Sequence, residues 1–252
     1  MTGIVSKIIQ NHLLQYAHPI VDTKTLSLEF FEILSRAHYE GTIASPKDFM
    51  KEITAHQRFV IAQCVLEKIK LYQKQLPTIS FSVNISSLEF ELGLSEFLKA
   101  LGSDRLIEPS RCIIEVSESL STSEAVMTQM QELHTNFGFR FALDDFGAGF
   151  STFEHLFRTN GLYEYVKIDG SMVTGLLNNE AKKSALIAMV YAIKKSNKKS
   201  IVEFVENEET FRIIRDEVGA DFIQGYILGE PAPLSDSMHL LKENILKITN
   251  IS

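Results

Sequence analysis

From about His18 onward, short stretches rich in branched and aromatic residues alternate with longer ones in which apolar residues recur every three or four positions. HPIVDT, SLEFFEIL, ISFSVNIS, CIIEVSES, FRFALDDF, YEYVKID, SIVEFVE and DFIQGYI have the composition and length of eight strands. DFMKEITAHQRFVIAQCVLEKIKLYQKQL, SEAVMTQMQELHTNFG, NEAKKSALIAMVYAIKKSN and EETFRIIRDEVG carry the helical repeat instead. Ser121 or Ser123 is placed to open a helix, Gly138 and Gly219 to end one, and about Ser235 to Ser252 predicts a terminal helix and tail. Eight strands alternating with helices in 252 residues is the rhythm of an α/β chain folded as a TIM-like (β/α)8 barrel. A doubly wound open sheet is the alternative, weakened because no GxGxxG or GxxxxGK turn follows an early strand. With no Pro-, Gly- or Ser-rich linker, residues 1–252 are expected to form one domain, its chemistry confined to about residues 18–233.

Composition narrows the partners. The chain is 45% apolar and 23% charged, which suits a globular protein with a sizeable core. A formal charge of -7 argues against a nucleic acid polymer as ligand, while leaving room for a local basic pocket that meets a small phosphate. Cys64 and Cys112 stand far apart in apolar stretches, with no metal-type spacing, and are expected to be buried thiols of a reducing compartment. No signal-peptide pattern opens the chain, so a cytoplasmic location is expected. The apolar run from Ala185 to Ile193 falls far short of the roughly 20 residues of a membrane span and predicts a buried helix, with no membrane insertion.

In a barrel of this kind the C-terminal ends of the strands converge on one mouth, so polar residues late in each strand are candidates for chemistry. They are Glu32, Asn84, Glu115, Glu118, Asp144, Asp145, Lys167, Asp169, Glu203, Glu206 and Gln224. Alternation along a strand pairs Glu115 with Ser117 on one face and Lys167 with Asp169 on another. Carboxylates gathered near one axis repel and resist desolvation unless cations neutralise them. Carboxylates plus an amide oxygen, without histidine at the strand ends, select Mg2+ or Mn2+ over zinc. Adjacent Asp144 and Asp145 suit a site with two ions per active site, where one carboxylate bridges both. Taken singly, each acid could instead cap a helix or sit in a solvated loop, and FGAGFS could be a turn in which Gly147 and Gly149 supply positive φ. The basic run KKSNKKS reads as a solvated helix end.

The order of these segments resembles that of the EAL-domain family of bacterial cyclic di-GMP phosphodiesterases. EILSR at Glu32 to Arg36 is similar to the family's EALLR, SVNIS to SVN(L/I)S, EVSES to E(L/V)TES, DDFGAGFS to DDFGTGYS, KID to KID, VEFVE to AEGVE, and QGYILGEP to QGY(L/F)xxxP. The resemblance implies a TIM-like barrel, its first strand antiparallel, that hydrolyses cyclic di-GMP to linear pGpG with two divalent cations. By that match Glu32, Asn84, Glu115, Asp144 and Asp145 would be metal ligands. Lys167 would orient or activate the attacking water, and Glu203 would complete the metal and water site. Arg36 would meet a substrate phosphate and Gln224 would lie near the guanine or the water network. Glu118 and Asp169 would support them, with Ser117 and Glu118 holding the DDFGAGFS loop. The same loop implies a homodimer.

Departures from the family pattern are Ile33 for its Ala, His18 for its Gln and Phe204 for the Gly of AEGVE, along with the segment DFMKEITAHQRF after Pro46. None removes a ligand. Phe204 either narrows the mouth or packs against helices. Two other functions compete: an EAL module that binds the dinucleotide or a protein regulator without cleavage, and a glycosidase using paired carboxylates. The glycosidase is disfavoured by an inward lysine beside an Asp and by the absence of tryptophan to stack on sugars.

Overall fold

The computed structural model describes residues 13–39, 42–44, 53–117, 123–148, 156–157 and 161–249. Its strands are β1 (Leu13–Asp22), β2 (Leu28–Tyr39), β3 (Thr42–Ala44), β4 (Ser80–Asn84), β5 (Cys112–Ser117), β6 (Arg140–Phe146), β7 (Tyr163–Ile168), β8 (Lys199–Val202) and β9 (Phe222–Ile223). β2 and β4 through β9 pair in parallel, in chain order. β1 runs antiparallel to both β2 and β9 and closes the ring, so eight strands form a mixed barrel. β3 hangs antiparallel on the outer part of β2. The open-sheet alternative is thereby excluded.

The helices are α1 (Ala55–Gln75), α2 (Ser87–Glu91), α3 (Leu94–Ser103), α4 (Glu124–Glu132), α5 (Glu180–Lys195), α6 (Glu208–Arg212) and α7 (Leu234–Thr249). Thr54 and Gln57 form a reciprocal capping box at the start of α1, satisfying two otherwise unpaired amides. Of the two serines weighed for α4, Ser123 is the one whose side chain accepts from Val126 N. α4 and α6 run on as single wider turns that end at Gly138 and Gly219, both left-handed. The pair α2 and α3 is absent from the sequence expectation because Gly93, at φ 94°, breaks its apolar repeat after five residues. α5 is not fully buried as expected: Leu186, Val190 and Ile193 face the barrel while Ile187 and Tyr191 are exposed. Cys64 is likewise a correction. It lies on the outward face of α1 and is exposed, whereas Cys112 at the start of β5 is buried. No described helix is long and apolar enough to cross a membrane.

What positions the site is the layering inside the barrel. Ile20, Phe30, Ile113, Ala142, Tyr165, Ile201 and Phe222 form a closed apolar layer contributed by seven strands. Two residues further toward the mouth, on the same inward face, stand His18, Glu32, Glu115, Asp144, Lys167, Glu203 and Gln224. The antiparallel β1 supplies its member from the earlier position, His18 before Ile20. Nearly every strand therefore offers an apolar residue to the core and a polar one to the rim.

Candidate functional site

Lys167 is the hub of that rim. Its side chain is buried, and its Nζ lies 2.6 Å from Glu115, 2.8 Å from Glu203, 3.3 Å from Asp144 and 3.6 Å from Glu32. Glu32 is also held by side-chain amides, Asn84 Nδ2 at 2.5 Å and Gln224 Nε2 at 2.7 Å. Burial alone would push the Lys167 pKa down, but Asp144, Glu115, Glu203 and Glu32 together hold it well above the usual lysine value. It is an ammonium at any physiological pH.

Four carboxylates share that one cation, and the strain shows in their proton affinities. Burial, then repulsion from Glu32, drives Glu115 well above the usual carboxylate range. Burial pushes Glu203 up to about 8 despite the attraction of Lys167. In Glu32 the burial penalty is more than offset by Lys167 and the Gln224 hydrogen bond, so its pKa is lowered. Glu115 Oε1 is buried without a hydrogen-bond partner, and the buried Asp144 Oδ1 has only the shared Lys167 ammonium, at 3.3 Å. Buried carboxylate oxygens left without donors are costly, and a cation is the usual remedy.

The adjacency of Asp144 and Asp145 has a structural cause. Strict alternation would send one of them out of the barrel. Along the β6–β7 ladder, however, Leu143 pairs with Val166 and Phe146 with Ile168, so two residues of β6 oppose the single Lys167 of β7. This is a β-bulge, and Asp145 takes a left-handed conformation at φ 59° to complete it. Both carboxylates consequently line the mouth. Burial, then Asp144, raises the pKa of Asp145. Gly147 follows at φ 98° with Met172 and Met189 packed 3.1 Å from where a Cβ would be, so the turn requires glycine.

These side chains floor a cleft of about 520 Å3. Arg36, Asp169 and Glu206 also line it. Asp169 is tied to β6 through its N–H, which donates to Phe146 O at 3.1 Å, and its Oδ1 accepts from Ser171 N. Ser117 is half-buried and pairs with Asp144 across the β5–β6 ladder. Glu118 and Gly149 lie outside the described residues. Glu32, Asn84, Asp144, Asp145, Lys167, Glu203 and Gln224 thus share one cleft, with buried Glu115 against Lys167 at its base.

Among the lining residues not singled out as site residues from sequence are His18, Arg58, Phe204 and Tyr226. His18 and Phe204 stood out only as departures from the family pattern. Arg58 sits in the first turn of α1, where helical periodicity gives no sign of the cleft, and Tyr226 follows the Gln224-Gly225 turn. Burial lowers the His18 pKa to about 4, so its ring is neutral, and its Nε2 has no hydrogen-bond partner. Phe204 reaches the mouth rather than the helices.

The donor set fits divalent cations in its chemistry, being hard oxygens with orphaned lone pairs. Among the described residues no three acidic, His or Cys side chains are arrayed as a metal-binding group, because the carboxylates converge instead on the Lys167 ammonium.

Comparison with known proteins places this geometry. A family model described as the EAL domain matches residues 4–231. The "Probable cyclic di-GMP phosphodiesterase PdeA" of Escherichia coli K12 is 28% identical over 90% of the chain and 31% of its own length. "Cyclic di-GMP phosphodiesterase PdeB" of Shewanella oneidensis is 30% identical over 92% of the chain and 28% of its own. The chain spans about a third of the length of such curated relatives. Among solved structures, an EAL domain protein from Listeria monocytogenes superposes with a TM-score of 0.81 at 26% identity, covering 96% of this chain and 97% of that one. The EAL domain of FimX from Pseudomonas aeruginosa, solved bound to c-di-GMP, gives 0.81 at 25% identity over 94% and 98%.

Proposed function

The chain belongs to the EAL domain family, and from that premise we propose that it hydrolyses cyclic di-GMP to linear 5'-pGpG in second-messenger signalling. The observation that carries the reading is a cleft floored by four carboxylates on one buried lysine, with Glu115 Oε1 buried and unpaired. Glu32, Asn84, Glu115, Asp144, Asp145 and Glu203 would hold a pair of Mg2+ or Mn2+ ions, which when bound offset charge on the phosphodiester and acidify water. Arg36 meets the phosphate from the cleft wall, and Gln224 fixes Glu32. Asp169 and Glu206 support the rim.

Lys167, permanently charged, donates to the attacking water and stabilises the developing negative charge. The water oxygen bonds to phosphorus as the bond from phosphorus to the ribose 3'-oxygen breaks. Glu203 completes the site around that water, and the proton the water loses ends on the departing 3'-oxygen, which leaves as the hydroxyl. Ser117 and Gly147 shape the β6 loop, to which we also assign a homodimer contact. A cytoplasmic site of action follows from the ligand.

Chromatography of cyclic di-GMP incubated with the protein, with Mg2+ or Mn2+ and then with chelator, tests this directly. Formation of pGpG only with metal, and its loss in Glu32→Ala and Asp144→Ala, is expected. A second reading, binding without cleavage, draws on Phe204 standing at the mouth where the family pattern has glycine. Saturable binding with intact dinucleotide under every metal would select it over hydrolysis.

A further inference from the structure

Phe204 adopts a left-handed backbone conformation, φ 58°, which residues with a Cβ avoid. The residue nonetheless remains 51% exposed and lines the cleft. The ring lies directly against the backbone of Gly170, where an added Cβ would come 2.2 Å from a ring carbon, so no side chain can stand there. Glycine at 170 therefore gives the ring a flat seat, and the rest of the ring is left facing the cleft. Strain accepted at a position whose side chain stays half in water gains little from packing alone.

The neighbourhood says what would cover it. Glu203, the residue before, lies 2.8 Å from Lys167, so the ring begins about 3.8 Å of chain from the acidic cluster. Tyr226, 53% exposed, lines the same cleft and reaches His18, whose ring centroid is 6.3 Å from its own. The mouth thus has a charged base and an aromatic wall, the two surfaces a phosphodiester carrying a purine presents in turn.

Building on the proposed substrate, we propose that Phe204 is a substrate-binding residue of this chain: its ring, seated on Gly170, is the stacking face for one guanine base at the cleft rim. Stacking on an aromatic is tolerant of base identity and depends on the π-face, so an aliphatic side chain of similar reach does not replace it.

The chain contains no tryptophan, so Phe204→Trp installs a single reporter. Calorimetry with cyclic di-GMP in Ca2+, an oxygen-seeking ion chosen to slow turnover, is run on the unaltered protein and on Phe204→Trp, Phe204→Leu and Phe204→Gly. Dissociation constants about tenfold higher for Leu and Gly, near-unaltered affinity for Trp, and quenching of the Trp emission on binding are expected. Phe204→Gly relieves the left-handed strain, so its thermal midpoint is not lowered and loss of fold does not mimic loss of affinity. If Phe204→Leu binds as tightly as the unaltered protein, or the Trp emission is unmoved while heat shows binding, the stacking role is overturned. If the unaltered protein gives no heat, the substrate assignment falls first and this inference with it.

Discussion

The two ends of the barrel use the same parts to opposite effect. At the floor, where the parallel strands begin, Arg140 grips Glu164 with two hydrogen bonds of 2.6 and 2.8 Å, and Lys199 adds a third at 3.0 Å. Tyr165 hydroxyl bonds to Glu29 and receives Arg140, and Lys199 sits 3.6 Å from Glu29. Two carboxylates meet two cations. At the mouth, Glu32, Glu115, Asp144 and Glu203 meet one. The β6–β7 ladder even carries an irregularity at each end: an extra Glu164 on β7 below, and the extra residue of the Asp144-Asp145 pair on β6 above. Each brings neighbouring polar side chains into one network. Below, every charge is answered; above, the deficit is left for a ligand to answer. Charge balance, rather than burial or hydrogen-bond number, separates the end that holds the barrel from the end that can work.

The largest effect should come from removing the shared cation. Lys167→Met is expected to lower turnover by about a thousandfold, read by dinucleotide chromatography at saturating metal. Normal turnover would show that the mouth does not depend on its lysine. Next comes the floor. Arg140→Met should cost about 2 kcal/mol in a urea titration, less than a fully buried pair because the site is partly solvated, while folded protein keeps its activity. A loss of activity without a loss of stability would reverse the assignment of the two ends.

The smallest effect is a difference in pH response. At the mouth, Glu203 keeps its proton in the fold up to about 8, whereas the unfolded chain releases it near the ordinary 4.5. Between those values the folded state binds more protons, so stability of the chelated protein should fall as pH rises, and Glu203→Gln should flatten that slope. At the floor, burial opposes and Arg140 overcomes, lowering Glu164 to about 2. That contribution is present above about 4.5 and is lost as pH falls toward 2, so Glu164→Gln should lower stability at neutral pH and flatten the slope only on the acid side. Urea midpoints across pH, in chelator, read both slopes.

Much of this was legible in the chain. Period-two runs and three-to-four repeats gave the barrel, and the inward positions of Glu115 and Lys167 followed from alternation alone. What escaped is non-local or irregular. α2 and α3 were hidden by Gly93 within a short amphipathic stretch. Cys64 misled because a helix of 21 residues shows part of its apolar sequence to solvent. His18 on β1 and Tyr226 in the turn after β9 reach the same cleft from opposite ends of the sequence, a proximity created only when β1 closes against β9. Asp145 was read into the mouth beside Asp144 from its place at the strand end, yet strict alternation by itself would have sent it outward.

That last point has a consequence for how the chain can change. Because the second aspartate enters the mouth through an added position in β6, the arrangement is encoded in spacing as much as in side-chain identity. Inserting a single residue beside Lys167 in β7 would restore one-to-one pairing and turn one carboxylate out toward the helical layer, with both aspartates intact. Insertions in this ladder therefore threaten the site as directly as replacing an acid does, and a lengthened descendant could keep its barrel while losing its chemistry.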